Sequence, residues 1–181
     1  MKNKILIIDN DVVYVTATAL FFEQNGYDVI CAHSGQEGFQ KVKTESPDLI
    51  FLELMMSYET EGAEIAKALA QDAATKDIPI ILVTAARKEM GFPFELKPDK
   101  DLLPVKAVVE KPIEPETLLK MAKGYITRNI EMHRKIIGEL DALARKWKDK
   151  KGNLVMILHE IQNHYGRKAP HFRLSRNCLL S

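Results

Sequence analysis

Acidic, hydroxyl and lysine residues follow apolar runs at four separate places in this 181-residue chain. Each polar side chain stands at the end of a run that has the composition of a buried strand. In open α/β sheets, the carboxyl ends of the strands form the edge where ligands bind. A pocket lined by acids at that edge needs a cation, which one lysine can supply. The residues are Asp9, Asn10 and Asp11, then Glu53, Thr84 and Lys111.

The elements that must position these side chains alternate over the first 123 residues. Short apolar runs are separated by amphipathic segments, which is typical of βαβ units and a parallel sheet. The pattern predicts a doubly wound α/β fold with five strands. Their expected ranges are 4–8, 27–31, 49–53, 78–83 and 107–110.

Helical spacing predicts which faces of the intervening helices are buried. The helix from Asp11 to Glu23 is expected to pack through Val13, Ala17, Leu20 and Phe21. The helix over 61–71 is expected to pack through Ile65, Ala68 and Leu69. Pro115 is expected to open the last helix of this region, where its missing N–H is not needed.

The order of these landmarks resembles the receiver domain of response regulators over residues 2–123. Asp9-Asn10-Asp11, Glu53, Thr84-Ala85 and Lys111-Pro112 follow the expected strands in the family's order, and Pro47 to Glu53 resembles its phosphoacceptor strand. The resemblance implies a flavodoxin-like, five-stranded parallel sheet over residues 1–124. It also implies a cis bond between Lys111 and Pro112.

The resemblance implies a site that binds Mg²⁺ and accepts a phosphoryl group, but two positions depart from it. Glu53 stands where the family has its acceptor aspartate, and Asn10 stands at a metal-ligand position beside Asp9. The carbonyl of Met55 would be the remaining protein ligand. Because Asn10 supplies oxygen without charge, the resemblance implies a weakened or lost metal site and no firmly held cofactor. Asp11 is expected to cap a helix rather than to replace the lost ligand.

Glu53 admits two interpretations. A glutamate reaches further than an aspartate by about one C–C bond, so its carboxylate could approach Lys111 and Thr84 as a permanent imitation of the phosphorylated state. Alternatively, Glu53 is tolerated in a decayed site and forms a simple ion pair with Lys111. Both interpretations require contact between Glu53 and Lys111 and imply a degenerate receiver, and only the imitation also brings the carboxylate to Thr84.

The signalling face implied by the resemblance is also altered. Val108 stands where the family has a switching Tyr or Phe, three residues before the lysine. Between Met90 and Pro104, three prolines leave no room for a full helix between the last two strands. This segment is expected to be a long irregular loop, with Phe92 and Phe94 packed on the domain or offered to a partner. The prolines are Pro93, Pro98 and Pro104.

The chain is expected to continue as a helical extension over residues 125–170, followed by a frayed tail at 171–181. An a/d seam predicts either a homodimeric coiled coil or packing on a later helix near 153–165. Residues 1–127 have a net charge of −6 and residues 128–181 a net charge of +7, but the basic residues are interleaved with apolar ones. DNA binding is therefore less expected than a protein partner. The seam residues are Ile126, Ile130, His133, Ile137, Leu140, Ala144 and Trp147.

Residues 139–170 are also similar to the N-terminal helices of the thioredoxin-like iron–sulfur subunit of NADH dehydrogenases. Leu158, Gln162, Gly166 and Pro170 carry this similarity, whereas the cysteines of the [2Fe–2S] site are missing. If the similarity is meaningful, the segment is a helical docking element without the redox domain.

Bulk properties narrow the function classes. No apolar segment approaches the roughly 20 residues needed to span a bilayer, and Cys31 and Cys178 form no CxxC pair, so a cytoplasmic protein is expected. The leading hypothesis is a non-enzymatic, phosphorylation-independent signalling or scaffold module that binds a protein partner. The alternative is a phosphorelay receiver of a two-component system in which Glu53 or Asp9 still accepts phosphate.

Overall fold

A parallel sheet of five strands forms the centre of the first structural unit, as the sequence predicts. The computed structural model describes residues 2–85 and 96–147. The strands are β1 (Lys4–Ile8), β2 (Asp28–Ala32), β3 (Leu49–Leu52), β4 (Ile80–Thr84) and β5 (Ala107–Glu110). They pair in the order β2-β1-β3-β4-β5, and every pair is parallel. The bounds of β1 and β5 are the predicted ones, and those of β2, β3 and β4 differ from the prediction by one or two residues.

Four helices accompany the sheet within the described residues. They are α1 (Val12–Gln24), α2 (Gly35–Glu45), α3 (Glu61–Gln71) and α4 (Pro115–Trp147). Asp11 caps α1 by accepting hydrogen bonds from the backbone N–H groups of Val13 and Tyr14, both at 3.0 Å. This confirms Asp11 as a helix cap. Gly26, with φ of 87°, lies just beyond the end of α1, where a left-handed backbone favours glycine.

The sheet is buried on both faces because its strands alternate between two apolar cores. Leu6, Ile8, Ile50 and Leu52 pack on one side, together with residues of α2 and α3. Ile5, Ile7, Leu49 and Phe51 pack on the other side, together with residues of α1 and α4. Continuous apolar runs, such as residues 5–8 and Leu49–Leu52, are therefore explained by two-sided burial.

The predicted inward face of α1 is wrong for Val13, Ala17 and Leu20, whereas Phe21 is half-buried and packs against the core as predicted. Val15, Ala19 and Phe22 are the buried residues of this helix, whereas Val13 is 79% and Leu20 53% exposed. Apolar residues occur on all sides of this helix, so the sequence contains two apolar stripes with helical spacing, and either could have faced the core. Ala68 of α3 is likewise exposed, and Ala66 is buried in its place beside Ile65 and Leu69.

The segment before β5 contains no helix in its described part, residues 96–106. A short turn is closed by backbone hydrogen bonds between Asp99 and Leu103, and Leu103 and Val105 are buried in the core. Val108 is half-buried against the same core. The predictions for Phe92, Pro93 and Phe94 lie outside the described residues.

The last helix, α4, begins at Pro115 as expected and continues to Trp147. The boundary between the two structural units of the chain falls after Thr127. Ile126 is only 3% exposed and packs with Leu118 and Ala122 in the core beside α1, so its assignment to the seam is wrong. The predictions for the later helix, most of the iron–sulfur-like segment and the frayed tail lie outside the described residues.

Candidate functional site

The strand ends bring the predicted site residues to one edge of the sheet. Asp9 follows β1, Glu53 follows β3, Thr84 ends β4 and Lys111 follows β5. Asp9, Glu53 and Thr84 are exposed by 2%, 5% and 0%, respectively. Because β1 and β3 are neighbours whose connections cross to opposite sides, Asp9 and Glu53 flank the point where the strand order reverses.

Backbone hydrogen bonds to neighbouring strands fix three of these residues in place. The N–H of Glu53 donates to the carbonyl of Ile8 at 2.9 Å, and the N–H of Lys111 donates to the carbonyl of Thr84 at 2.9 Å. The N–H of Asp9 donates to the carbonyl of Ala32 at 3.0 Å. The Lys111-Pro112 bond is cis, as the resemblance implies.

Lys111 bridges the two buried carboxylates. Its Nζ lies 2.5 Å from Asp9 Oδ2 and 2.9 Å from Glu53 Oε2. The side chain of Lys111 is 17% exposed, so this ion pair is largely shielded from solvent. The cluster therefore holds two acids and one base with a formal charge of −1.

The second oxygen of each carboxylate is held by backbone donors. Glu53 Oε1 accepts hydrogen bonds from the N–H groups of Leu54 at 2.8 Å and Met55 at 3.2 Å. Asp9 Oδ1 accepts from the N–H of Asp11 at 2.9 Å. The charge at position 53 is thus bound by an ammonium and two amides, which are the kinds of donor that hold anions at strand ends.

The ring of Tyr14 completes the surroundings of the lysine. Lys111 Nζ lies 4.2 Å from the ring centroid, within range of a cation–π interaction. Burial alone lowers the pKa of Lys111, but the hydrogen bonds to Asp9 and Glu53 outweigh it and the pKa is raised. Burial raises the pKa of Asp9, against the opposing effects of Lys111 and the Asp11 N–H.

The residues present do not fit a Mg²⁺ site well. Each carboxylate oxygen of Asp9 and Glu53 accepts from a donor of the protein, and Lys111 stands between the two acids. The amide nitrogen of Asn10 donates to the carbonyl of Met56 at 3.3 Å. Among the residues that the structure describes, no group of three or more His, Cys, Asp or Glu could hold a metal ion. Binding of Mg²⁺ would have to displace the lysine from at least one carboxylate.

Glu61 is a buried acid that the sequence reasoning missed. It is 8% exposed, and its carboxylate accepts from the N–H of Gly35 at 3.0 Å and the N–H of Ser57 at 2.7 Å. It therefore joins the first turn of α2 to the loop that follows Glu53. An acid in the first turn of α3 was the only signal in the sequence, and it is equally typical of a solvated helix start.

Gly62 brings α3 against the end of β3. Its N–H donates to the carbonyl of Leu54 at 2.9 Å. A methyl group at this position would overlap the Glu53 carbonyl oxygen and the Leu54 Cα. Glycine is required here because the two backbones touch.

An apolar groove adjoins the site between α1 and the turn after β5. Its volume is about 630 Å³, and its lining includes Tyr14, Ala17, Lys111, Pro112 and Leu118. The exposed stripe of α1, defined by Val13, Ala17 and Leu20, borders this groove through Ala17. A largely apolar surface therefore begins directly beside the charged cluster.

Comparison with known proteins agrees with this geometry. The family model of the response regulator receiver domain matches residues 5–123. The chain is 33% identical over 129 residues to the alkaline phosphatase synthesis transcriptional regulatory protein PhoP of Bacillus subtilis, covering 71% of this chain and 50% of that protein. It is 27% identical over 117 residues to protein PilH of Pseudomonas aeruginosa, covering 65% of this chain and 92% of that protein.

Solved structures show the same fold. A CheY-like receiver domain protein of Methanospirillum hungatei aligns with a TM-score of 0.59 at 21% identity, covering 73% of this chain and 99% of that chain. The chemotaxis response regulator CheY4 of Vibrio cholerae aligns with a TM-score of 0.57 at 26% identity, covering 69% and 99%. This chain spans about half the length of the transcriptional regulators that it matches.

Proposed function

This chain belongs to the response regulator receiver family, and we propose that within it the chain is a phosphorylation-independent signalling or scaffold module. Receiver domains are signalling modules, which supports a non-enzymatic role for this chain. The observation that carries the proposal is the Glu53 carboxylate, bound by Lys111 Nζ at 2.9 Å and by two backbone N–H groups. The anion-binding donors of the site are engaged by a side chain of the protein itself.

Reach and charge both support this role for Glu53. The additional methylene of glutamate extends the carboxylate by about one C–C bond, so that it meets donors a shorter side chain would leave to an incoming anion. Its formal charge of −1 is less than the roughly −2 of a phosphoryl group. Glu53 is therefore a weaker but permanent imitation of a phosphorylated acceptor. A simple ion pair with Lys111 in a decayed site accounts for the same contact and gives the same phosphorylation independence.

Efficient phosphoacceptance is disfavoured by the same geometry. In-line attack requires the acceptor oxygen to be free and aligned, and a misplacement of about 1 Å can cost roughly 100-fold in rate. Both Glu53 oxygens accept hydrogen bonds, and Asn10 supplies no charge for a metal. The alternative function, a phosphorelay receiver, draws support from the retained Lys111 and Thr84 at the strand ends.

A protein partner is the expected ligand of this module. The groove of about 630 Å³ and the exposed Val13 and Leu20 supply an apolar surface beside the site. No helix among the described residues is both long and apolar enough to cross a membrane. The relatives named as transcriptional regulators are about twice as long, so we assign no DNA binding to this chain.

Intact mass after incubation with acetyl phosphate and Mg²⁺ tests the proposal. We expect no mass gain for the wild-type chain, and a gain of one phosphoryl group for the variant N10D/E53D, which restores both acids. The control N10D/E53N lacks an acceptor at position 53 and is expected to gain nothing. A phosphoryl gain by the wild type would overturn phosphorylation independence. Failure of N10D/E53D to gain mass would show that Asn10 and Glu53 are not what prevents phosphorylation of the wild-type chain.

A further inference from the structure

The part of α4 beyond Thr127 exposes an apolar stripe. Ile130 is 37% and Ile137 46% exposed, His133 is exposed, and Leu140 is half-buried. These four residues follow one another at spacings of three and four, so they share one face of the helix. Isoleucine is a residue type that folding usually buries, and two of them seven residues apart on one exposed face indicate an interface.

The stripe has the positions of a coiled-coil seam. With Ile130 and Ile137 at a, His133 and Leu140 occupy d, and the sequence continues with Ala144 at a and Trp147 at d. The flanking e positions hold Arg134 and Asp141, and both side chains are exposed. The flanking g positions hold Asn129, the half-buried Ile136 and Leu143.

Flanking residues decide the orientation of two paired helices. In a parallel pair, each g position faces an e position of the other helix, which places Asn129 beside Arg134 and Ile136 beside the carboxylate of Asp141. Neither contact pairs opposite charges, and one buries an aliphatic chain against an acid. A parallel pair would also stack His133 on its own copy.

An antiparallel pair resolves these mismatches. Reversing one helix places e opposite e, so that Arg134 of each copy faces Asp141 of the other, twice by symmetry. It places g opposite g, so that position 136 faces position 143, and both are aliphatic. In the seam, Ile137 then meets Leu140, and His133 meets position 144 rather than its own copy.

We propose that residues 128–147 form an antiparallel homodimer with the same segment of a second copy of this chain. The proposal rests on the scaffold role, since it names one partner of that module, and charge complementarity between Arg134 and Asp141 is what commits it to a second copy. Twenty helical residues span about 30 Å, or roughly three heptads. A seam of that length is expected to give a dimer of modest affinity, so that the dimer fraction depends on protein concentration.

Light scattering of the full-length chain with charge-reversal variants tests the pairing. We expect the wild type to have twice the chain mass at high concentration, and R134D and D141R each to raise the dimer dissociation constant by about tenfold, because two attractive pairs become repulsive. The double variant R134D/D141R exchanges the charges and is expected to return within about threefold of wild type. The control K135E changes an exposed charge at the outward f position and is expected to leave the constant unchanged.

Disulfide trapping tests the orientation in a chain that also carries Cys31→Ser and Cys178→Ser. In the antiparallel register, position 133 lies opposite position 144, whereas the two copies of position 133 are about 16 Å apart along the axis. A disulfide requires Cα atoms within about 7 Å. Mixing His133→Cys chains with Ala144→Cys chains is therefore expected to give crosslinked heterodimers, and His133→Cys alone to give none.

A monomeric wild type, single reversals without effect, a double variant that fails to recover, or rapid crosslinking of His133→Cys alone would each overturn the antiparallel dimer. None of these experiments involves phosphoryl transfer. The acetyl phosphate test can therefore fail while the dimer stands, and the dimer can fail while phosphorylation independence stands.

Discussion

Lys111 and Glu53 form an ion pair across the edge of the sheet, with Nζ 2.9 Å from Oε2. The two residues follow strands β5 and β3, which are separated in the sheet by β4. The long side chains of lysine and glutamate close this gap, and Asp9 joins from β1 at 2.5 Å. At the edge of the sheet where receiver domains bind phosphoryl groups, the lysine of this chain is therefore already paired with two of its own carboxylates.

Replacing Lys111 by methionine is expected to lower the free energy of unfolding by about 3–5 kcal/mol near neutral pH, because two buried carboxylates lose their common cation. Lowering the pH towards 4 should reduce this deficit as Asp9, whose pKa is raised by burial, takes up a proton. Urea denaturation at several pH values measures both effects. The exposed Lys106, replaced by methionine, is the control and should change the free energy by less than about 0.5 kcal/mol. A K111M variant with an unchanged free energy of unfolding would contradict a structural role for the cluster.

Alkaline pH should lower the free energy of unfolding of the wild-type protein because Lys111 loses its proton. Its pKa is raised in the folded state, since the hydrogen bonds to Asp9 and Glu53 outweigh the lowering by burial. A raised lysine pKa stabilises the fold below the unfolded value of about 10.4, and this contribution is lost as pH rises through the folded pKa. The difference in unfolding free energy between wild type and K111M should therefore shrink above about pH 10.4. A difference that grows there would show the opposite sign of shift.

Gly62→Ala is expected to destabilise the protein by about 1–3 kcal/mol, although alanine favours helices, because the methyl group would overlap backbone atoms of Glu53 and Leu54. Gly124→Ala is the matched control, since nothing lies within 4 Å of an added Cβ in the same kind of helical position. That change should stabilise the protein by up to about 1 kcal/mol. Thermal or urea unfolding of both variants measures the contrast, and equal effects would show that α3 does not depend on this close approach.

Glu61→Ala is expected to lower the free energy of unfolding by about 2–4 kcal/mol, because the buried N–H of Gly35 and the part-buried N–H of Ser57 lose their acceptor. Glu64→Ala, one turn along the same helix, removes exposed hydrogen bonds from Tyr58 and Thr60 and should cost less than about 1 kcal/mol. Hydrogen exchange at Gly35 and Ser57 should accelerate only in the Glu61 variant. Comparable losses of stability in the two variants would contradict a structural role for the hydrogen bonds from Gly35 and Ser57 to Glu61.

The sequence by itself determined the sheet and the residues at its edge. Residues 5–8 and Leu49–Leu52 are apolar at every position, which is typical of strands buried on both faces. The polar residue after each run then had to lie at the carboxyl edge. Asp9, Glu53, Thr84 and Lys111 could therefore be assigned to one site before their distances were known.

Tertiary structure alone decided which apolar stripe of α1 faces the core. Val13, Ala17 and Leu20 have the same helical spacing as Val15, Ala19 and Phe22, so periodicity could not choose between them. The buried set is the one that packs against β1 and β3, where the ring of Phe22 lies 5.4 Å from that of Phe51. The exposed set was left beside the groove at the site.

Tertiary structure also decided the partners of each charge. Glu61 meets Gly35 across 26 residues of sequence, and Lys111 meets both Asp9 and Glu53 from a different strand. Composition and periodicity report the environment of a residue averaged over its own helix or strand. A contact between distant segments depends on how those elements are stacked, and at Gly62 on the close approach of two backbones, which no local pattern encodes.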